Sequence, residues 1–205
     1  MATSTEINPL KVVDSGLYNN KNFPVMLPWE KNYMEHCINM LPPNGDVLEI
    51  GFGLGYSATQ IQNFPIRSHT IIECDKEIVK NARLWANKQL QPVNIIEGTW
   101  QNSLNLLGRF DTIFFDDCFL TAHPYEHNIA GFNYFLEQVV KFHSKRTTKI
   151  GWYCEDKPPQ KTQDFFKKLN LEYEISEFTI KKPENLAYAN KNKDVMFVPQ
   201  LTYYG

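Results

Sequence analysis

The chain lacks long apolar runs, paired cysteines and an excess of charge of either sign. No stretch of the 205 residues approaches the roughly eighteen consecutive apolar residues of a membrane-spanning helix, so we expect no membrane partner. With 21 basic and 23 acidic residues the net charge is −2, which argues against a nucleic-acid partner. The four cysteines form no C-x-x-C pair and the five histidines show no metal-ligand spacing. We therefore expect free thiols and no metal.

The first ten residues, MATSTEINPL, carry no hydrophobic segment of a signal peptide, and with the expected free thiols this predicts a cytoplasmic location. A hydrophobic content of 42% and an aromatic content of 14% are typical of a globular protein. Residues 1–22 are polar and rich in asparagine, and we expect a flexible N-terminal arm there. Residues 23–205 then form a single domain.

Strand-like and helical patterns alternate along the domain. Strand-like runs lie at residues 47–50, 68–74, 93–96, 110–115, 149–154, 172–179 and 195–198. Helical periodicity is found at residues 29–41, 57–63, 76–90, 128–142 and 160–169. This alternation predicts an α/β fold, a doubly wound, mostly parallel seven-stranded Rossmann-like sheet. Because no helical pattern separates the last two strands, we expect them to form a C-terminal antiparallel hairpin.

The segment at residues 46–58, DVLEIGFGLGYSA, contains a buried strand, a glycine-rich turn and the start of a helix. The turn carries Gly51, Gly53 and Gly55. Glycine is needed where φ is positive or where a ligand approaches the backbone closely, and a helix N-terminus offers unpaired N–H groups to an electron-rich ligand. The segment therefore predicts a ligand-binding loop, with a glycine turn that binds nothing as the alternative.

Two ligand classes use such a loop. A dinucleotide motif, G-x-G-x-x-G, would place its third glycine where Tyr56 stands, and a pyrophosphate would be repelled by Glu49. A cationic sulfonium ligand tolerates Glu49. The pattern E-x-G-x-G-x-G therefore favours S-adenosylmethionine (AdoMet), and we assign Phe52 and Tyr56 to the same cofactor loop.

Polar and aromatic residues follow the second and third predicted strands. Glu73 ends the second strand about twenty residues beyond the glycine loop, where a carboxylate can hold both hydroxyls of a ribose. Cys74 adjoins it and is assigned to the same site, whereas Asp75 suits the N-cap of the next helix. Trp100 after the third strand can lie against an adenine ring, with Gln101 hydrogen-bonded to the ring edge. An exposed charge at Glu73 and ordinary packing of Trp100 are the alternatives.

Asp116 ends the fourth predicted strand, at the edge of the sheet where ligands bind. Methyl transfer from a sulfonium to nitrogen needs an aligned acceptor and a group that takes up one proton. A planar guanidinium can be gripped by two carboxylates, and Glu30 and Asp116 form such a pair if the Pro-Trp-Glu segment folds over the site. Asp117 is predicted to face solvent or to cap a helix.

Several stretches resemble the guanidinoacetate N-methyltransferase family, whose members have the class I methyltransferase fold. In the family's order they are PVMLPWEKNYM (24–34), VLEIGFGLGYSA (47–58), HTIIECD (69–75), EGTWQ (97–101), FDTIFFDD (110–117), GFNYF (131–135), WYC (152–154) and FVPQ (197–200). The first block is the most specific, because the glycine loop is shared by all class I methyltransferases.

The resemblance implies an enzyme that methylates guanidinoacetate, a small guanidino substrate, to creatine and converts AdoMet to S-adenosyl-L-homocysteine (AdoHcy). We expect a monomer or homodimer. It implies that Glu30 and Asp116 bind the guanidinium and that Asp116 receives or relays the proton. It also implies a cofactor site lined by Met26, Met34, Gly51, Glu73, Trp100 and Gln101.

The chain departs from the family pattern at three places, of which the third concerns the acceptor end of the site. Gln101 replaces a glutamate but keeps an acceptor oxygen for adenine, and residues 144–149 replace a Lys-Pro-Gly-Gly turn, which predicts an altered loop. Glu155 and Asp156 stand where the family receives the substrate carboxylate with neutral residues. Two acids would repel a carboxylate unless Lys157 or backbone N–H groups offset them, so these residues favour an acceptor with extra positive charge.

Three other functions stay open. One is an N-methyltransferase for arginine, free or in protein, or for another cationic amine. The second is a metal-dependent O-methyltransferase with Asp116 and Asp117 as magnesium ligands. The third is a catalytically silent AdoMet-fold protein that binds a partner through the aromatic segments 132–135 and 201–204.

Overall fold

A large sheet of seven strands and a small sheet of three organise the described part of the chain, which in this computed structural model comprises residues 9–20, 22–117, 125–181 and 194–205. The strands are β1 Lys11–Val13, β2 Gly16–Tyr18, β3 Pro24–Met26, β4 Gly45–Ile50, β5 Ile66–Glu73, β6 Val93–Glu97, β7 Phe110–Phe115, β8 Ser144–Trp152, β9 Leu171–Thr179 and β10 Val195–Tyr203. The α-helices are α1 Lys31–Met40, α2 Tyr56–Ile61, α3 Lys76–Ala86, α4 Trp100–Ser103, α5 Tyr125–Gln138 and α6 Gln160–Lys168. Shorter turns are the 3₁₀ segments Pro28–Glu30 and Leu104–Leu106 and the π segment Val139–His143.

The large sheet has the strand order β6-β5-β4-β7-β8-β10-β9. Strands β4 to β8 pair with one another in parallel, whereas β10 is antiparallel to both β8 and β9. The predicted doubly wound sheet with its C-terminal antiparallel hairpin is therefore confirmed. Because β4 has β5 on one side and β7 on the other, the topological switch point lies at the C-terminal ends of β4 and β7, where such sheets bind ligands.

Local sequence explains where the helices next to this edge begin. Pro28 starts the turn before α1, where its missing N–H is harmless. The side chain of Asp75 accepts hydrogen bonds from the N–H groups of Glu77 and Ile78 at the start of α3, so its predicted N-cap role is confirmed. The first turns of α1 and α3 therefore fix where both helices begin beside the switch point.

The altered loop expected at residues 144–149 is part of β8 and carries a bulge. Ser144 lies opposite Phe110 and Lys149 opposite Thr112, so β8 advances five residues where β7 advances two. The hydroxyl of Thr148 stabilises the bulge by donating to the Phe110 carbonyl at 2.7 Å. Pairing with β7 therefore extends β8 in the N-terminal direction beyond the predicted start at residue 149.

The N-terminal arm expected over residues 1–22 is ordered where the structure describes it. β1 pairs with β2 and β2 with β3, and Leu17 is completely buried. The Leu10 N–H donates to Asp75 Oδ2 at 2.8 Å. Residues 1–8 and Lys21 lie outside the described residues. Burial of two leucines and this hydrogen bond fix residues 9–20 to the domain, which the polar composition of the segment did not indicate.

Apolar side chains cover both faces of the large sheet. One layer packs α1, α2 and α3 against the sheet through residues such as Tyr33, Ile61 and Ile71, and the other contains Phe135 and Phe166. The segments considered above as an interface contribute Phe132, Phe135 and Leu201 to this second layer. Core packing therefore explains the buried members of these segments, whereas Tyr134 and Tyr204 are exposed. None of the helices in the described part of the chain is long and apolar enough to cross a membrane.

A cluster of four charges closes the opposite edge of the sheet, at the N-terminal ends of the strands. Arg67 pairs with Asp46 and lies 3.3 Å from Asp111, and Lys145 Nζ lies 2.9 Å from Asp46 and 2.6 Å from Asp111. The hydrogen bond from Arg67 holds the pKa of Asp46 well below its usual range, and Lys145 and Ser68 add to this effect. The cluster stabilises the sheet far from the glycine loop.

Asp46→Asn is expected to lower the free energy of unfolding by about 1–2 kcal/mol at pH 7. Because the pKa of Asp46 is depressed in the folded state, its contribution is present above its ordinary pKa of about 4 and is lost as the pH falls below that value. Urea unfolding at pH 7 and pH 3 should show a difference that narrows at the lower pH. Glu35→Gln, which removes an exposed pair with Lys31, is the control and should change little. An equal difference at both pH values would contradict this account.

Candidate functional site

The glycine loop after β4 adopts a backbone that other residues rarely accept. The φ angles are +85° at Gly51, +53° at Gly53 and +73° at Gly55. A Cβ at Gly51 would lie 2.2 Å from the backbone oxygen of Asp116, and one at Gly53 would lie 2.9 Å from Met26 Cε. The motif thus uses glycine both for positive φ and for the close approach of neighbouring groups.

Asp116 is held directly beside this loop. Its N–H donates to the carbonyl of Ile50 at 2.9 Å, which continues the β4–β7 pairing into the loop. Desolvation of its half-buried carboxyl raises the pKa well above the usual value, and the carboxylates of Glu30, Glu49, Asp117 and Glu73 raise it further. Five acids therefore share the electrostatic environment of the switch point, and such a site favours a cationic ligand.

Glu30 reaches the same site from the turn that precedes α1. It is buried, its Oε2 accepts the Leu27 N–H at 2.6 Å, and its own N–H donates back to the Leu27 carbonyl at 3.0 Å. Desolvation and then Glu30 raise the pKa of Tyr56, the first residue of α2. Glu30, Tyr56 and Asp116 therefore face a common region, as the folding of the Pro-Trp-Glu segment over the site requires.

Glu73, expected to hold a ribose, binds the backbone of the loop. Its Oε2 accepts the Phe52 N–H at 2.9 Å, and its Oε1 accepts the N–H groups of Cys74 and Asp75 at 2.7 and 2.8 Å. These bonds occupy three of about four lone-pair positions of a carboxylate, so a ribose would compete with them. Burial and then the negative charge of Glu73 raise the pKa of the Cys74 thiol to about 12.

Whether the residues present fit AdoMet is tested by Glu49. Its carboxylate is completely buried, and Oε1 has no hydrogen-bond partner among the described residues. Its Oε2 lies 3.0 Å from His69 Nε2, an ion pair when the histidine is protonated. A buried, incompletely satisfied carboxylate beneath a glycine loop is compatible with a cationic cofactor and incompatible with a pyrophosphate.

The other predicted cofactor residues differ in their environments. Met26 is buried against the loop, and its sulfur accepts the Leu54 N–H at 3.3 Å. Met34 is completely buried in the core, whereas Gln101 is exposed. Trp100 is buried and donates its indole N–H to Asp117 at 2.7 Å. The contacts of Trp100 and Gln101 with adenine stay predictions.

Asp117 differs from the expectation that it would face solvent or cap a helix. It is half-buried, and desolvation raises the pKa of its carboxyl while the hydrogen bond from Trp100 partly opposes the shift. A neighbouring aromatic cluster, in which Phe115 and Phe135 pack against Trp100, explains the burial of this region. Asp117 therefore positions Trp100.

Glu155 and Asp156 are half-buried in the loop after β8. Burial raises the pKa of the preceding Cys154 thiol to about 12, and both acids add to that shift. The loop is fixed to α1 through the Tyr33 hydroxyl, which accepts the Cys154 N–H at 2.9 Å. The sequence analysis did not identify this role, although Tyr33 stands inside the WE-x-x-YM block that carries the resemblance.

Residues 18–158 match the family model described as guanidinoacetate N-methyltransferase. The chain belongs to this family. The recognition made from the sequence motifs is thereby confirmed, and the match includes Glu30, the glycine loop, Asp116 and the loop with Glu155 and Asp156. The family places the chain among methyltransferases.

The chain is also similar to curated proteins with a different name, protein arginine N-methyltransferase 2. Protein arginine N-methyltransferase 2 from Candida glabrata is 38% identical over 103 residues, which are 48% of this chain and 25% of that protein. Protein arginine N-methyltransferase 2 from Saccharomyces cerevisiae is 32% identical over 114 residues, 52% of this chain and 28% of that protein. The chain thus spans about a quarter of the length of these relatives.

Solved structures show the same fold at low identity. Precorrin-6y C5,15-methyltransferase from Geobacter metallireducens has a TM-score of 0.62 and 13% identity, and the match covers 93% of this chain and 95% of that one. The O-methyltransferase TomG from Streptomyces achromogenes, solved in complex with AdoMet, has a TM-score of 0.57 and 15% identity, with 90% and 83% covered. The predicted class I methyltransferase fold is confirmed, and the cofactor prediction agrees with these structures.

Within the described ranges, no group of three or more His, Cys, Asp or Glu residues is arranged to hold a metal ion. Asp116 and Asp117, the alternative magnesium ligands, interact electrostatically with each other but differ in their other contacts. Asp116 shares its environment with Glu30 and Glu49, whereas Asp117 accepts the indole N–H of Trp100.

Proposed function

We propose that the protein is an AdoMet-dependent N-methyltransferase that acts on a small guanidino compound, with guanidinoacetate as the first acceptor to test and creatine as its product. The observation that carries the proposal is the electrostatic contact of Glu30 and Asp116 beside the glycine loop. Membership of the guanidinoacetate N-methyltransferase family supports it. AdoMet supplies the electrophilic methyl group when it is bound.

The residues of the chain divide the work between binding and proton uptake. Glu30 and Asp116 hold the planar guanidinium by charge-assisted hydrogen bonds and direct one nitrogen toward the methyl group. That nitrogen must lose a proton as the new carbon–nitrogen bond forms. Asp116 accepts it, and the raised pKa of its carboxyl makes it a stronger base than an ordinary aspartate. Asp116 then passes the proton to solvent.

Glu30→Gln is expected to raise the acceptor KM at least about tenfold, because one charge-assisted bond to the guanidinium is lost. The AdoHcy Kd should change by less than about twofold, since glutamine can still accept the Leu27 N–H with its amide oxygen. Steady-state kinetics and calorimetric titration give the two values. Glu35→Gln on α1, whose carboxylate pairs with Lys31, is the matched control. An unchanged acceptor KM would contradict the role of Glu30.

A second candidate acceptor is arginine, free or in a peptide. Glu155 and Asp156 favour an acceptor with extra positive charge, because by the family resemblance they stand where neutral residues would receive a substrate carboxylate. The relatives named protein arginine N-methyltransferase 2 support the same alternative. Both candidates share the guanidinium and differ in what is attached to it.

The deciding experiment is a methylation assay with labelled AdoMet across guanidinoacetate, arginine, agmatine and an arginine-containing peptide. Product mass spectrometry locates the new methyl group. Turnover of guanidinoacetate with none of arginine or the peptide would support the first acceptor, and the reverse would support the second. AdoMet binding with no methylation of any guanidine would favour a silent binding protein.

A parallel sample with EDTA tests the magnesium alternative. If the protein were a magnesium-dependent O-methyltransferase, EDTA should abolish its activity.

We also propose that the protein works in the cytoplasm without a nucleic-acid or membrane partner, as a monomer or homodimer. Cys37, Cys74 and Cys154 are free thiols, which supports a reducing compartment. Cys118 lies outside the described residues. Sedimentation of the purified protein would determine the number of subunits.

A further inference from the structure

The Tyr33 hydroxyl forms a junction of three backbone contacts. The side chain is completely buried, and its oxygen accepts the Cys154 N–H at 2.9 Å. The oxygen also lies 2.7 Å from the Phe197 carbonyl and 3.1 Å from the Cys154 carbonyl. A hydroxyl has a single proton, and the shorter contact identifies Phe197 as its acceptor. The rings of Tyr153 and Phe178, at 5.4 and 5.9 Å, hold the Tyr33 ring in place.

The junction lies where the sheet ends and the acceptor loop, residues 153–157, begins. Cys154 forms an isolated bridge with Phe197 of β10, and the Phe197 N–H donates to the Cys154 carbonyl at 3.0 Å. The Cys154 thiol in turn donates to the Asp156 carbonyl at 3.0 Å. Hydrogen bonds therefore fix the backbone on both sides of Cys154. The bond to Tyr33 is the one that comes from a helix, α1.

The hydrogen bond between Tyr33 and Cys154 connects two segments that lie at opposite ends of the proposed acceptor site. Glu30 lies one helical turn before Tyr33, at the start of α1. Glu155 and Asp156 follow directly after Cys154. A movement of the acceptor loop relative to α1 would therefore change the distance between Glu30, which binds the guanidinium, and Glu155 and Asp156, which face the other end of the acceptor.

We propose that Tyr33 is a positioning residue that sets this distance and thereby determines the length of acceptor that is methylated. The inference rests on the proposed function, because it concerns the acceptor of that reaction. Without the hydroxyl, the Cys154 N–H loses its acceptor and the loop is free to shift. A displacement of about 1 Å is enough to impair the alignment of a bound substrate. The glycine loop depends on Glu73 and Ile72, so cofactor binding should be spared.

The test is Tyr33→Phe, assayed with two pairs of acceptors that differ by one methylene group, guanidinoacetate with 3-guanidinopropionate and arginine with homoarginine. The acceptor KM for the preferred member should rise about tenfold, and the ratio of kcat/KM within its pair should fall toward one. The AdoHcy Kd should stay within about twofold of the wild-type value. The Tm should fall as well, which alone would say nothing about position.

Tyr203→Phe is the matched control. Tyr203 is a half-buried tyrosine on β10 that packs against the core at the far end of the strand from Phe197. It loses the same hydroxyl group without touching the acceptor loop, so its length preference should equal that of the wild type. Cys154→Ala is a second variant that alters the acceptor loop, because it removes the hydrogen bond from the thiol to the Asp156 carbonyl. It should weaken the length preference and keeps the inference testable if Tyr33→Phe does not fold.

The outcomes separate this inference from the proposed function. A variant at Tyr33 or Cys154 that melts at a lower temperature but keeps the wild-type length preference would overturn the positioning role and leave the proposed function intact. A wild-type protein that binds AdoHcy and methylates none of the four guanidines would overturn both. Loss of length preference in the Tyr203 control would also contradict the inference, because the effect would then not belong to the junction.

Discussion

Asp116→Asn should lower kcat by a factor of about 10² to 10⁴, the range expected when a general base is removed. The AdoHcy Kd should change by less than about threefold, because the role of Asp116 lies in the transition state. Asparagine has nearly the same shape and can still accept a hydrogen bond, so the loss reports on charge and proton uptake. Single-turnover kinetics with labelled AdoMet would measure the chemical step directly.

The pH profile adds an independent check on this prediction. Desolvation and four neighbouring acids raise the pKa of Asp116 in the free protein, so the carboxyl is protonated at low pH and kcat/KM should fall as the pH decreases through that raised pKa. Asp116→Asn should remove this limb of the profile. Asp117→Asn is the matched control, because Asp117 adjoins Asp116 but accepts the indole N–H of Trp100. It should keep the limb, moved to lower pH because the charge of Asp117 contributes to the raised pKa of Asp116. Equal losses of kcat and AdoHcy affinity in Asp116→Asn would mean a structural role.

Gly53→Val should abolish cofactor binding. Gly53 has a φ of +53°, and a Cβ there would lie 2.9 Å from Met26 Cε. A branched side chain at this position strains the loop and fills the space through which a ligand approaches the backbone. We expect the AdoHcy Kd to rise at least about 100-fold, equivalent to about 2.7 kcal/mol of binding free energy.

Gly108→Val is the control for this prediction. Gly108 is exposed, and a Cβ there would have nothing within 4 Å. The control should bind AdoHcy as the wild type does. Circular dichroism and the Tm of both variants show whether the domain is folded. A folded Gly53→Val protein with wild-type affinity for AdoHcy would mean that the ligand does not approach the loop.

Much of the fold could be predicted from the sequence because its signals are local. The apolar run before Gly51 and the alternation of strand and helix patterns predict the parallel sheet and its switch point. The cap at Asp75 needs only the residues next to it. The positive φ angles of the glycine loop likewise follow from a short motif.

The candidate site was predicted less completely because side-chain directions depend on distant parts of the chain. That Glu30 and Asp116 share one environment depends on how the N-terminal sheet and α1 pack across the switch point. The burial of Trp100 comes from Phe135 on α5, far along the sequence. The three backbone bonds of Glu73 and the junction at Tyr33 involve N–H groups, which every residue except proline carries and which no motif can reveal.

The most direct test of the central claim is a crystal structure with AdoHcy and guanidinoacetate bound. The account predicts that carboxylate oxygens of Glu30 and Asp116 each lie within about 3.2 Å of guanidinium nitrogens, and that one of these nitrogens faces the AdoHcy sulfur. A guanidinium bound elsewhere, or either carboxylate turned away from the space beside the sulfur, would contradict it.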